Sequence, residues 1–280
     1  MKHILFLTDF SDNSDQTYPY ALDIDYLLGA ELVFFNSYEL PYSKSNVIVS
    51  IIDRMKEDSI NSLKKLKEET LLQEKYKGLD IKTAYHSGGF ISLVPKVANE
   101  FHSDLIVMGT KGAGSLKEMF IGTNTLEVTQ TTKIPILTLP EKAKNNKVDK
   151  IAMAVDLQKI TNPEQLRPFL EIAKLCRSSI EFVHVMHPNT QERTQDRFNQ
   201  IMFLEKFASE INSNINIITD TDIIEGLSRY IETEKPDILA MPSRKHTLFE
   251  RLFTQSITNQ LAFRSEIPLL VVDEYNTCIA

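Results

Sequence analysis

Short apolar runs alternate along the chain with longer stretches in which apolar residues recur every three or four positions. The short runs have the length of strands and the longer stretches the period of helices. The pattern predicts strands at about 3–8, 31–36, 80–86, 104–108 and 135–139, with helices at about 14–28, 50–76, 90–101 and 122–131. Strands then recur near 150–155, 180–185, 215–219, 237–241 and 268–272. The runs are continuously apolar rather than alternating, as in strands covered on both faces. Regular alternation of strand and helix implies parallel pairing through right-handed crossovers. The expected fold class is therefore α/β, with two tandem doubly wound five-stranded parallel-sheet domains.

The tandem arrangement is visible in the residues themselves. Ile4-Leu5-Phe6-Leu7-Thr8-Asp9 resembles Ile151-Ala152-Met153-Ala154-Val155-Asp156. Asp104-Leu105-Ile106-Val107-Met108 resembles Asp237-Ile238-Leu239-Ala240-Met241, and Ile134-Pro135-Ile136-Leu137 resembles Ile267-Pro268-Leu269-Leu270. The first pair is offset by 147 residues and the other two by 133, so the second copy is shorter by 14 residues. The loss is expected after the second strand, where the first copy carries the long stretch 38–78. Domains are expected at 1–141 and 148–275, joined by the polar run 141–147. Each is long enough to bury a core.

Composition narrows the setting. The 280 residues carry a net charge of −7, which leaves no general basic footprint for nucleic acid. No segment approaches a membrane span, and the apolar start of the chain is too short for a signal peptide. The two cysteines, Cys176 and Cys278, are too few for a disulfide framework, so a reducing cytoplasm is the expected location.

Candidate chemistry lies at the carboxyl ends of the first and fourth strands, where open parallel sheets bind ligands. The first end reads Thr8-Asp9-Phe10-Ser11. The second runs from Met108-Gly109-Thr110-Lys111-Gly112-Ala113-Gly114 to Ile121-Gly122-Thr123-Asn124. Four of the nine glycines fall in this stretch, whereas the second copy has only Gly226. Glycine lets a ligand approach the backbone closely. Gly122-Thr123 opens a helix, whose free N–H groups and dipole favour phosphate. Lys111 or Lys117 offers countercharge. Neither a P-loop nor a dinucleotide fingerprint fits.

The spacing Gly109-x2-Gly112-x9-Gly122-Thr123, with its flanking strands and the strand-closing Asp9, resembles the nucleotide-binding signature of the universal stress protein (UspA) family. The resemblance covers the first copy and, more weakly, the second. It implies an adenine-nucleotide alpha-hydrolase-like fold whose two copies pack as a pseudo-dimer through their last strands, with a further homodimer open to it. It also implies a cytoplasmic stress-response sensor or regulator that binds ATP or AMP in its first domain. Thr8 and Asp9 would face the adenine or ribose end. Met108, Gly109, Lys111 and Gly112 would bound the ribose and phosphates, and Gly122, Thr123 and Asn124 would hold the β- and γ-phosphates. An accompanying Mg²⁺ or Mn²⁺ would be held mainly by phosphate oxygens. Leu7 stands where the family often has proline.

In the second copy Gly109, Gly112, Gly122 and Thr123 align with Pro242, Lys245, Gln255 and Ser256. Side chains fill the phosphate path, and Pro242 lacks an N–H. That copy is expected to bind no nucleotide in this mode; its Arg244-Lys245-His246 with Arg251 reads as a solvated basic loop. His184-x-x-His187 lacks further metal ligands and reads as ordinary strand-end histidines. Gly88-Gly89 reads as a turn and Cys176 as core. No catalytic residue or protein metal site is expected. The rival functions are slow ATP hydrolysis or phosphotransfer, and a nucleotide-free interaction module.

Overall fold

The computed structural model describes residues 1–39, 47–110, 123–141, 143, 147–157, 166–189, 194–242 and 267–272. The chain separates into two compact units, the first ending at Glu141 and the second continuing from Lys142. The first unit comprises β1 (His3–Leu7), α1 (Asp12–Leu28), β2 (Glu31–Tyr38), α2 (Val47–Leu72), β3 (Asp80–Ser87), α3 (Phe90–Glu100), β4 (Leu105–Gly109), α4 (Thr123–Thr131) and β5 (Ile136–Leu139). Its strands are parallel, in the order β3-β2-β1-β4-β5. The second comprises β6 (Lys150–Ala154), α5 (Arg167–Cys176), β7 (Ser179–Met186), α6 (Thr194–Phe207), β8 (Ser213–Thr219), α7 (Ile223–Glu234), β9 (Ile238–Pro242) and β10 (Leu269–Val272). It repeats the order as β8-β7-β6-β9-β10, again parallel.

The continuous apolar strands follow from burial on both faces. Successive side chains of a strand point to opposite faces. In β1 and β2, Phe6 and Phe34 meet Tyr18 of α1, with ring centroids about 6 Å apart. Leu5, Leu7, Val33 and Phe35 point the other way, into a core shared with Val94, Val97 and Ala98 of α3 and Val128 of α4. Burying each such side chain is worth roughly 1.5–3 kcal/mol.

Asp104 lies just outside β4 rather than inside it, one residue short of the expected strand. Its carboxylate accepts the backbone N–H groups of Lys2 and His3 at 2.6 and 3.1 Å. Asp237 does the same in the second unit, accepting from Asp149 and Lys150 at 2.8 and 2.9 Å. The aspartate that opens the repeated Asp-Leu-Ile-Val-Met pattern is thus a clamp on the start of the neighbouring strand.

The shortening of the second copy falls after its second strand, where α6 has 14 residues against 26 in α2. Helix α2 stops at Leu72 instead of reaching 76. Beyond it, Gln73, Tyr76 and Leu79 donate to carbonyls three residues earlier, at about 3.0 Å. Helix α1 starts at Asp12, two residues ahead of expectation, because the Ser11 side chain caps it by accepting from the Ser14 N–H. It ends at Gly29, whose φ of 59° suits glycine. Cys176 closes α5 in the core, and burial pushes its thiol up to about 11. Among the described residues no helix is long and apolar enough to cross a membrane.

Candidate functional site

The strand order reverses between β1 and β4, and their carboxyl ends open the crevice where ligands of such sheets bind. The register pairs Leu7 with Met108, so Thr8-Asp9 and Gly109-Thr110 leave the sheet side by side. The structure therefore brings together Thr8, Asp9, Met108 and Gly109 of the expected set. Thr123 opens α4, and Asn124 lies exposed in its first turn. The Thr125 hydroxyl donates to the Gly109 carbonyl at 3.3 Å, which ties the start of α4 to the end of β4. Lys111, Gly112 and Gly122, with Gly114 and Lys117, lie outside the described residues.

Asp9 is exposed, while Thr8 is buried. One carboxylate oxygen of Asp9 accepts from the Ser11 N–H at 3.1 Å and from the Ser11 hydroxyl at 2.6 Å. This turn steers the chain into α1 and fixes the carboxylate at the crevice edge. Asp12 and Asp15 add exposed negative charge in the first turn of α1. The first turn of α4 holds no acid. Negative charge on a ligand is therefore repelled at the Asp9 side and favoured at the α4 side. Met108 is a core residue by its side chain, packed with Leu7 and Val128, so only its backbone faces the crevice.

Gly109 has a packing reason to be glycine. A Cβ there would come within 2.3 Å of Asn13 Oδ1 and 3.5 Å of Thr17 Oγ1. Side chains of α1 thus fill the space beside Gly109, and a larger residue there requires Asn13 to shift. Asn13 gave no signal at the sequence level, because nothing in its surroundings marks it as a contact to residue 109.

Beneath the turn lies a buried polar chain that the sequence did not reveal. Thr8 Oγ1 accepts from the Ser14 hydroxyl at 2.8 Å and from the Phe10 N–H at 3.1 Å. Asn36 Nδ2 donates to the Thr8 carbonyl at 2.8 Å, and the Ser59 hydroxyl donates to Asn36 Oδ1 at 2.7 Å. Thr8, Ser14, Asn36 and Ser59 are all buried. The available signal was a polar residue closing the apolar run Leu32-Val33-Phe34-Phe35.

The second unit has a different arrangement at the same place. Val155 replaces Thr8, and its N–H still continues the ladder by donating to the Val183 carbonyl, as Thr8 donates to Phe35. His184 replaces Asn36; its Nδ1 lies 3.1 Å from the Val155 carbonyl and 3.4 Å from the Leu157 N. His184 is therefore a buried residue within β7, and His187 lies one residue beyond the strand. Among the described residues no group of His, Cys, Asp or Glu is placed to hold a metal ion. Pro242 ends β9 where Gly109 ends β4. Lys245, Gln255, Ser256 and the basic residues Arg244, His246 and Arg251 lie outside the described residues. Gly226 is a packing glycine, since a Cβ there would meet Val185 at 2.7 Å. Gly88 has a φ of 132° and donates to the Tyr38 carbonyl, and Gly89 caps α3, as a turn requires.

The sequence model of the Universal stress protein family matches residues 1–140 and again 147–273. The chain belongs to the universal stress protein family. It carries two copies of the family's domain in tandem. Its fold is similar to that of a universal stress protein from Archaeoglobus fulgidus DSM 4304, at 19% identity and a TM-score of 0.73, covering 97% of this chain and 98% of that one. A functionally unknown protein from Pseudomonas aeruginosa PAO1 is similar at 11% identity and a TM-score of 0.59, covering 98% and 92% of the two chains. A search of curated proteins found no match.

Proposed function

We propose that this tandem universal stress protein binds an adenine nucleotide, ATP or AMP, in its first unit, and that occupancy is the signal it carries as a cytoplasmic stress-response regulator. The observation that supports this most is the pairing, at the β1–β4 switch point, of an exposed aspartate with an acid-free helix start tied to Gly109. Asp9 suits hydroxyl or amine donors of the nucleoside, and phosphates belong at the α4 side with Gly122, Thr123 and Asn124. Lys111 and Gly112 belong to the same proposal, as do the backbones of Met108 and Gly109. Bound Mg²⁺ or Mn²⁺ would take its oxygens from the phosphates. The second unit binds no nucleotide in this mode, because Pro242 removes both the small residue and an N–H.

The test is to denature freshly purified protein and measure released nucleotide by mass spectrometry, with Gly122→Asp beside it. About one adenine nucleotide per chain, lost in the variant, is expected from a single helix-terminus phosphate site. A yield near two would show that the second unit binds as well. None released, with no ATP or AMP uptake by calorimetry, would sink the nucleotide reading.

A further inference from the structure

Four described non-glycine residues have positive φ. His102, Arg177 and Lys235 follow the ends of α3, α5 and α7, where a left-handed residue commonly stops a helix. Phe10, with φ of 55°, follows a strand instead. A bulky aromatic is costly in that region and persists only where its surroundings over-determine it.

The surroundings that do so converge on Thr8. Its carbonyl belongs to the peptide that leads into Asp9, and Asn36 Nδ2 donates to it at 2.8 Å. The carbonyl can only accept, so the amide nitrogen must face it and Oδ1 must face the Ser59 hydroxyl. Thr8 Oγ1 in turn holds the Phe10 N–H at 3.1 Å. We propose that Asn36 is a positioning residue of the first unit's site: held by Ser59 of α2, it fixes the Thr8–Asp9 peptide and so the turn that presents the Asp9 carboxylate. The nucleotide turn is thereby hydrogen-bonded to α2, the helix that is shorter in the second unit, where His184 takes the place of Asn36. This inference rests on the nucleotide reading only for its second arm.

The first arm needs no ligand. Amide hydrogen exchange in the nucleotide-free protein should speed up about tenfold or more at Phe10 and Ser11 in Asn36→Ala, and less in Ser59→Ala. Exchange at Leu5 and Val33, inside the strands, should stay as in wild type, as should the melting temperature to within a few degrees. The Asn36→His variant, which copies the second unit, should restore slow exchange at Phe10. In the second arm, ATP and AMP titrated by calorimetry should bind about tenfold more weakly to Asn36→Ala than to wild type, and nearly normally to Asn36→His. Unchanged exchange at Phe10 and Ser11 in Asn36→Ala overturns the proposal. So does a loss of strand protection that matches the loss at the turn, since Asn36 would then be holding the sheet. If wild type takes up neither nucleotide, the proposed function fails and the exchange arm decides the role of Asn36 by itself.

Discussion

Asp25 lies in α1 with no solvent exposure, and neither carboxyl oxygen has a hydrogen-bond partner among the described residues. Burial, reinforced by the charge of Asp80, pushes its carboxyl up to about 7. Its counterpart is Ala173: Gly29 donates to the Asp25 carbonyl as Arg177 donates to that of Ala173 at the matching helix end. A carboxyl raised in the folded state binds its proton there at pH values where the unfolded chain has lost it. The folded state is then progressively disfavoured as pH rises from about 4 to about 7, and the penalty levels off above that. The full span corresponds to on the order of 4 kcal/mol. Asp25→Ala should remove this slope, so denaturant unfolding of the first unit should show the variant more stable than wild type at pH 8 and nearly equal at pH 4. Equal stability at pH 8 would mean that Asp25 finds a partner in solution. At Gly109 the limiting contact is steric. Gly109→Ala should destabilise by roughly 1–3 kcal/mol, because Asn13 is buried and cannot swing away freely. Thermal melts of Gly109→Ala, Asn13→Ala and the double variant should show the second change relieving the first, and strict additivity would refute the clash.

Among elements, what the sequence made legible was whatever a one-dimensional pattern encodes. The strands buried on both faces stand within about two residues of expectation, as do α1, α3 and α4, since apolar runs and glycines mark them. The start of β4 differed because Asp104 serves a neighbouring strand, a purpose written 101 and 102 residues away, at His3 and Lys2. The end of α2 differed because consecutive three-residue turns keep a helix-like apolar spacing while Tyr76 turns into the core. The candidate site was legible in the same partial way. Asp9 and Gly109 stood out as strand-end residues, whereas Asn13, Ser14, Asn36 and Ser59 are ordinary polar residues until the fold brings them to one turn. Gly109 itself was legible for one reason and turns out to have another, the approach of α1.

At the scale of the whole molecule, the proposed function predicts that a nucleotide acts on the two units differently. Binding to the folded state of one unit raises that unit's stability by mass action, by about 2.7 kcal/mol at a ligand concentration 100 times the dissociation constant. With separate cores, the units should melt in transitions that ATP moves unequally: the first unit's upward, the second's not at all. Calorimetric scans with and without ATP, with Gly122→Asp as the control, would show this. A uniform shift of both transitions would mean that the nucleotide is read by both units or that they unfold as one.

The contrast between Asn36 and His184 bears on whether a site can be transplanted between the halves. In each half a side chain of the second strand lies against the same backbone carbonyl, and each goes with a different neighbour, threonine in one and valine in the other. A graft of the site therefore has to carry the buried support of the turn as well as the residues that line the crevice. Placing glycine at 242, 245 and 255 of the second half would copy the glycines of the first yet leave an unprepared turn. Val155→Thr and His184→Asn would have to travel with it, which makes the smallest portable unit of this site a set of buried partners rather than its glycines.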